Sequence, residues 1–313
     1  MKITVEKAAE LLLKGSVVAI PTETVFGLGA SIYSQEGIKK IFELKNRPLS
    51  NPLIIHISSI DQIQPFIEKE AIEEAIFLFK NFWPGPLTIV LPLKKAHSLS
   101  SFITAQLPTV AIRMPKQKET LQLIDKVGPI VAPSANRSGY PSSTQSSHVE
   151  NDFGKDFFIL EGTTYCVGLE STIIAKEDGV WKIAREGAIT PSDLQPNLGY
   201  LPFSLTKKEK PICPGQHFKH YSPLAQLILK SYEELQSLDA IIIGYENRHY
   251  PKAKKVIFLG PLTDPLTIQK NLYSTFRFLD ETQILKAYID IDLPEEERLQ
   301  IVKRRIEKAA SQC

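Results

Sequence analysis

The first 200 residues contain only four arginines, Arg47, Arg113, Arg137 and Arg185, beside sixteen lysines. The remaining 113 residues hold five, so the scarcity is local. A guanidinium offers a fixed fork of donors suited to phosphate and carboxylate, whereas an ammonium is mostly a solvated point charge. Lys45-Asn46-Arg47-Pro48-Leu49-Ser50-Asn51-Pro52 sets two cations two residues apart at a helix end. They could clamp a polyphosphate, or only complement the helix dipole. Thr109-Val110-Ala111-Ile112-Arg113-Met114-Pro115 puts a charge among apolar neighbours, and that charge needs an anion from a substrate or from a nearby Glu. Gly168–Ile174 and Ile183–Ile189 read as a hairpin bearing Ser171 and Arg185, with a cross-strand Glu–Arg pair as the alternative account.

Three further segments have suitable chemistry. Pro21-Thr22-Glu23-Thr24-Val25-Phe26-Gly27-Leu28-Gly29 follows a buried strand at the edge where open α/β sheets bind ligands. It reads as a loop whose hydroxyls and glycines allow close backbone approach, or as an ordinary turn. Ala132-Pro133-Ser134-Ala135-Asn136-Arg137-Ser138-Gly139, continued by Ser142, Ser143 and Thr144, offers small polar groups suited to phosphate or ribose. His56 lies in an apolar strand, where a satisfied half-buried histidine is the plain alternative to a functional one. Pro214–Pro223 packs His217, Phe218, Lys219, His220 and Tyr221 into a polar segment that reads as a lid between domains. Cys213, His217 and His220 spell a zinc-like spacing. Structural zinc needs four ligands and no second Cys/His cluster exists, so no metal site is assigned. No P-loop, Gly-x-Ser-x-Gly elbow or His-Glu-x-x-His is present, so a nucleotide site would use another architecture.

These segments need a scaffold of about two domains, which 313 residues can supply. Helices are expected at 5–14, 35–44, 71–82 and 119–126, and strands at 16–20, 53–57, 87–91, 110–114, 130–132, 157–160, 171–175 and 180–184. Mixed order without strict alternation predicts an open, twisted mixed α/β sheet over residues 1–200. Residues 201–222 read as an interdomain linker. Residues 223–313, with strands at 227–229, 240–244, 256–259 and 287–291 and helices at 266–279 and 294–310, read as a small Rossmann-like α/β domain. It lacks the Gly-x-Gly-x-x-Gly fingerprint, so its fold alone implies no dinucleotide. The formal charge is +2, with −1 on residues 1–200, which argues against bulk electrostatic binding of nucleic acid or membrane. Three scattered cysteines, a charged amino terminus and the lack of a long apolar run predict a cytoplasmic protein without disulfides.

Together the motifs resemble the threonylcarbamoyl-AMP synthase family, in its longer form with a YrdC-type catalytic domain and a C-terminal domain joined by a Pro-Gly…His-Tyr-x-Pro linker. The resemblance implies that L-threonine, bicarbonate and ATP, with Mg2+, yield threonylcarbamoyl-AMP and pyrophosphate, with no covalent protein nucleophile. It also implies hand-off of the adenylate to a tRNA threonylcarbamoyl transferase complex. By similarity, Lys45, Arg47, Asn51, Thr109, Ser134, Asn136, Ser143, Arg185 and Tyr221 would bind ATP, while Thr24, His56, Arg113 and Ser171 would hold threonine. Two departures stand out: Phe26 occupies a position that is commonly Tyr in the family, and Gln216-His217-Phe218-Lys219 stands where Met-Lys-Tyr-Arg is usual. A carbamoyl transferase of the hydrogenase-maturation type shares the YrdC-like domain but needs acylphosphatase and zinc-finger modules that this sequence lacks. An RNA-binding module is the reading from a different class, and the charge of residues 1–200 argues against it.

Overall fold

The computed structural model describes residues 1–162, 166–205, 213–214 and 221–311. The chain opens with β1 (Lys2–Ile3), α1 (Val5–Leu13), β2 (Val18–Ile20), β3 (Gly27–Ser31), α2 (Gln35–Lys45) and β4 (Ile54–His56). Next come α3 (Lys69–Phe82), β5 (Leu87–Pro92), α4 (Ser101–Thr104), β6 (Thr109–Arg113), α5 (Lys118–Val127) and β7 (Ile130–Val131). The first region closes with α6 (Ser146–Phe153), β8 (Ile159–Leu160), β9 (Thr172–Glu177), β10 (Val180–Arg185) and α7 (Pro191–Leu198). Its strands form one mixed sheet in the order β1-β8-β2-β3-β7-β4-β6-β5-β9-β10. α1 shows why the helices form where they do. Thr4 caps it by accepting from the Lys7 N–H, and Ala8, Ala9 and Leu12 turn one face into the core.

The second region contains β11 (Gln226–Lys230), α8 (Tyr232–Leu235), β12 (Ile241–Gly244), β13 (Lys255–Phe258), α9 (Pro265–Glu281), β14 (Lys286–Asp290) and α10 (Glu297–Ala310). All its strand pairs are parallel, in the order β11-β14-β12-β13. The expected architecture, a large mixed sheet and a smaller parallel one, is therefore the one observed. The apolar core of the second region also takes in Leu169 and Tyr221, which lie before β11 in the chain, so the two regions share buried surface.

Several local expectations need correction. Gly27 and Gly29 belong to β3, antiparallel to β2, and not to an open loop. A Cβ on Gly29 would stand 3.2 Å from the Val18 carbonyl oxygen, and one on Gly27 would stand 3.0 Å from the Ala132 Cβ. The glycines thus serve close strand packing. α6 falls in a stretch after the hydroxyl-rich loop to which no element is assigned from sequence. Its sequence is polar and its N-cap Gln145 makes no side-chain hydrogen bond, so neither of the usual helix signals is present. α7 begins at Thr190-Pro191-Ser192-Asp193, a capping box with proline in the first turn, which is a legible start signal that the turn-like composition hides.

Candidate functional site

Four strand ends assemble the site. β4 and β6 are parallel neighbours in a register that sets His56 beside Arg113, the last residue of each strand. Cross-strand partners share a sheet face, so imidazole and guanidinium emerge together at the carboxyl edge. Ser171 immediately precedes β9, which lies beside β5, and its Oγ is 2.7 Å from the Thr88 hydroxyl. β10 pairs antiparallel with β9, but the register shifts between Ile183 and Arg185. Such a bulge re-aims a side chain. Here Arg185 donates to the Ser171 carbonyl through Nη2 at 2.9 Å and to its hydroxyl at 3.1 Å.

One cavity is lined by Thr24, Arg47, His56, Arg113, Ser134, Ser171, Arg185 and Tyr221, together with Glu170 and Pro214. Eight of the residues singled out in the sequence therefore meet at one place. A larger void of about 430 Å³ beside Phe26, Thr144 and α9 contains none of these arginines. The chemistry, and not the size of the void, marks the site.

The cations differ in how they are satisfied. Arg47 is buried; its Nε and Nη2 donate to the carbonyls of Asn51 (3.1 Å) and Pro52 (2.7 Å). Burial and the charge of Arg185 lower its pKa to about 9, which leaves it a cation at neutral pH. Among the described residues no carboxylate lies within ion-pair distance of Arg47 or Arg185. Arg113 is different. Its Nη2 stands 2.7 Å from Glu23 Oε1, a close ion contact without the alignment of a hydrogen bond, while Nη1 donates to Thr24 Oγ1 at 2.9 Å and Nε to the Gly85 carbonyl at 3.2 Å. The sequence reading allowed either a substrate or a nearby Glu as its anion, and here Glu23 already stands beside it. Burial, then the Arg113 charge, push His56 down to about 3, so its imidazole is neutral. Because the Ile54 carbonyl, 3.3 Å from Nδ1, can only accept, the proton belongs on Nδ1 and Nε2 is left as an acceptor.

Five of the residues expected to bind ATP lie outside the lining of this cavity. Lys45 ends α2, fully buried, and its ammonium donates to the carbonyls of Ser134 and Asn136. Burial and the Arg47 charge push its pKa well below the ordinary range. Asn136 donates to the Arg137 and Tyr140 carbonyls, and among the described residues its Oδ1 and the buried Asn51 Oδ1 have no hydrogen-bond partner. Ser143 donates to the Ala135 carbonyl. Thr109 starts β6 opposite Pro92, at the other end of the strand from Arg113. Lys45, Asn136 and Ser143 thus hold the 134–143 loop by its own backbone. Cys213 is described, but His217 and His220 lie outside the described residues. Among the described residues no group of three His, Cys, Asp or Glu is placed to hold a metal.

Glu23, Glu170 and Thr88 were not singled out as site residues. Glu23 and Glu170 sit inside motifs that were, so their position was legible although their role was not. Thr88 sits in a β5 run with no distinguishing pattern. Glu170 Oε1 accepts from the Ser142 hydroxyl at 2.6 Å, and Oε2 from the Tyr273 hydroxyl of α9 at 3.1 Å.

This geometry has known counterparts. A family described as "Telomere recombination" (Sua5, YciO, YrdC) matches residues 10–187, and the family "Threonylcarbamoyl-AMP synthase, C-terminal domain" matches residues 186–311. The chain belongs to the threonylcarbamoyl-AMP synthase family. The threonylcarbamoyl-AMP synthase of Bacillus subtilis is 38% identical over 299 residues, covering 90% of this chain and 85% of the relative. That of Pyrococcus abyssi is 37% identical over 295 residues, covering 88% and 85%. The crystal structure of P. abyssi Sua5 complexed with L-threonine superposes with a TM-score of 0.87 at 32% identity, over 99% of this chain and 98% of that one. The second family match sets this threonylcarbamoyl-AMP synthase family member apart from proteins that share only the YrdC-like domain, because it covers the parallel-sheet region that packs on Glu170.

Proposed function

We propose that the chain is an L-threonylcarbamoyladenylate synthase, which joins L-threonine, bicarbonate and ATP into threonylcarbamoyl-AMP and releases pyrophosphate. The observation that carries this reading is the convergence of Arg47, Arg113 and Arg185 on one cavity. Two of the three have no acidic partner among the described residues. Buried cations without carboxylates call for an anionic ligand, and a triphosphate supplies several charges at once.

The reaction makes two bonds, N–C and O–P, and breaks two, a C–O bond of bicarbonate and the bond from the α-phosphorus to pyrophosphate. Threonine gives up an ammonium proton and its nitrogen takes up the bicarbonate carbon, with loss of water, to form a carbamate. A carbamate oxygen then attacks the α-phosphorus of ATP and pyrophosphate leaves. Because the substrates supply both nucleophile and leaving group, the protein's task is to orient them and neutralise charge. Arg47 and Arg185 fit the phosphates. Arg113 is braced by Glu23, Gly85 and Thr24 and is thereby held still for a carboxylate. A neutral His56 with Nε2 as acceptor fits a hydroxyl or amine donor on threonine. Mg2+ fits as part of the ATP complex, held by phosphate and water, because Glu170 is the only carboxylate among the described lining residues and both its oxygens already accept hydrogen bonds.

Free space in the cavity is about 60 Å³, far below the roughly 300 Å³ at which ligand pockets begin. Entry of ATP would need the lining to open, and Pro214 and Tyr221 line it from the segment between the two regions. Their return would exclude water from a labile carbamate and a labile mixed anhydride, which is the role expected of a lid. The adenylate would then pass to a separate transferase that modifies an adenosine of tRNA. The test is pyrophosphate release from ATP by the purified chain. Release is expected only when threonine and bicarbonate are both present, and equal release without threonine rejects the reading.

A further inference from the structure

We propose that Arg277, on α9 of the second region, is a positioning residue for the loop that carries Ser134 into the cavity; this rests on the reading of that cavity as the ATP site. Arg277 and Tyr273 are four residues apart and share a helix face, and both reach out of the second region into the first. The Arg277 guanidinium is buried. Its Nε and Nη2 donate to the Pro141 carbonyl at 3.1 and 2.7 Å, and Nη2 donates to Ser143 Oγ at 3.0 Å. Asp152 holds it from the other side, 2.8 Å from Nη2.

From Ser143 the path continues in single hydrogen bonds. The Ser143 hydroxyl donates its one proton to the Ala135 carbonyl, so it has none left for a nucleotide. The Ser143 carbonyl accepts from the Phe26 N–H at 2.8 Å, and the Phe26 carbonyl accepts from the Ala135 N–H at 2.7 Å. Ala135 is thereby fixed through both backbone groups, and its neighbour Ser134 lines the cavity. A fork that satisfies Pro141, Ser143 and Asp152 together sets where Ser134 stands. A lysine there would keep the charge beside Asp152 but lose the fork.

The experiment uses the full chain and compares Arg277→Lys and Ser143→Ala with the parent, well below the melting temperature of each. Steady-state kinetics give KM for ATP and for threonine, and titration gives the Kd for ATP with Mg2+. The expected result for either variant is an ATP KM and Kd raised about tenfold, with the threonine KM within about twofold of the parent. A purely structural Arg277 would lower the melting temperature and leave the ATP KM of the folded enzyme unchanged. That outcome, or an equal rise in both KM values, overturns the proposal. Should Arg277→Lys fail to fold, Asp152→Asn, which loosens the same fork from outside the cavity lining, decides by the same criterion. A parent chain that makes no adenylate at all would instead reject the synthase reading on which the proposal stands.

Discussion

Arg113 and Arg47 line the same cavity but differ in what surrounds them, and their substitutions should separate. Among the described residues Arg47 meets carbonyls only, so Arg47→Met removes a cation placed to pair with a ligand. Charge-assisted hydrogen bonds are worth about 1.5–3 kcal/mol, so the ATP KM should rise roughly ten- to hundredfold, with a smaller change for threonine. Arg113→Met should show the reverse in steady-state kinetics. It should also lose about 3–5 kcal/mol of unfolding free energy, because Glu23 keeps the Lys116 N–H but is left buried without its cation. The double variant with Glu23→Gln should recover stability without recovering threonine use. An unchanged threonine KM in Arg113→Met contradicts the assignment. The two buried histidines give a pH dependence. Burial and nearby arginines hold His56 and His148 at about 3, so the folded protein keeps both neutral while the unfolded chain protonates them below about 6.5. Stability is therefore full above that pH and falls as pH drops from about 6.5 toward 3, by up to about 1.4 kcal/mol per pH unit for each histidine. Denaturant unfolding at about pH 7 and pH 5 reads this directly, and equal midpoints would contradict it.

The strands and loops turn scattered residues into a site. Arg113 and His56 were legible because a polar residue in an apolar strand is conspicuous, but only the β4–β6 register makes them neighbours, and register between distant strands is not written in either segment. The bulge before Arg185 was equally hidden. Lys45 and Arg47 part for a different reason. Two cations two residues apart suggested a shared phosphate, whereas the left-handed cap at Asn46, with φ of 50°, separates them, sending Lys45 to loop carbonyls and Arg47 to the cavity. The large helices and the central strands followed from periodicity, while α6 and the glycine-bearing β3 lacked their usual signals. Gly168 tests how tightly one loop is held against α9. It sits at φ of +87°, and a Cβ there would collide with the Gln269 carbonyl oxygen. Gly168→Ala should cost about 2–4 kcal/mol from backbone strain and overpacking combined. A melting temperature equal to that of the parent would show that the contact yields freely.

Across the whole molecule, the second region packs against the site instead of standing apart from it. Tyr273 reaches Glu170, Arg277 reaches Ser143, and Arg305 lies 4.9 Å over the ring of Tyr221, which itself stacks on Tyr273. Net charge gave no hint of this, because the arginines that matter are few and placed singly, from both ends of the chain. If one cavity joins three substrates, bicarbonate supplies a carbon atom to the product. Mass spectrometry of the nucleotide product formed from threonine, ATP and isotope-labelled bicarbonate reads this carbon. The expected product is an adenylate that contains threonine and carries the label in its carbamoyl group. An unlabelled product, or a threonyl adenylate with no added carbon, would contradict the proposed function.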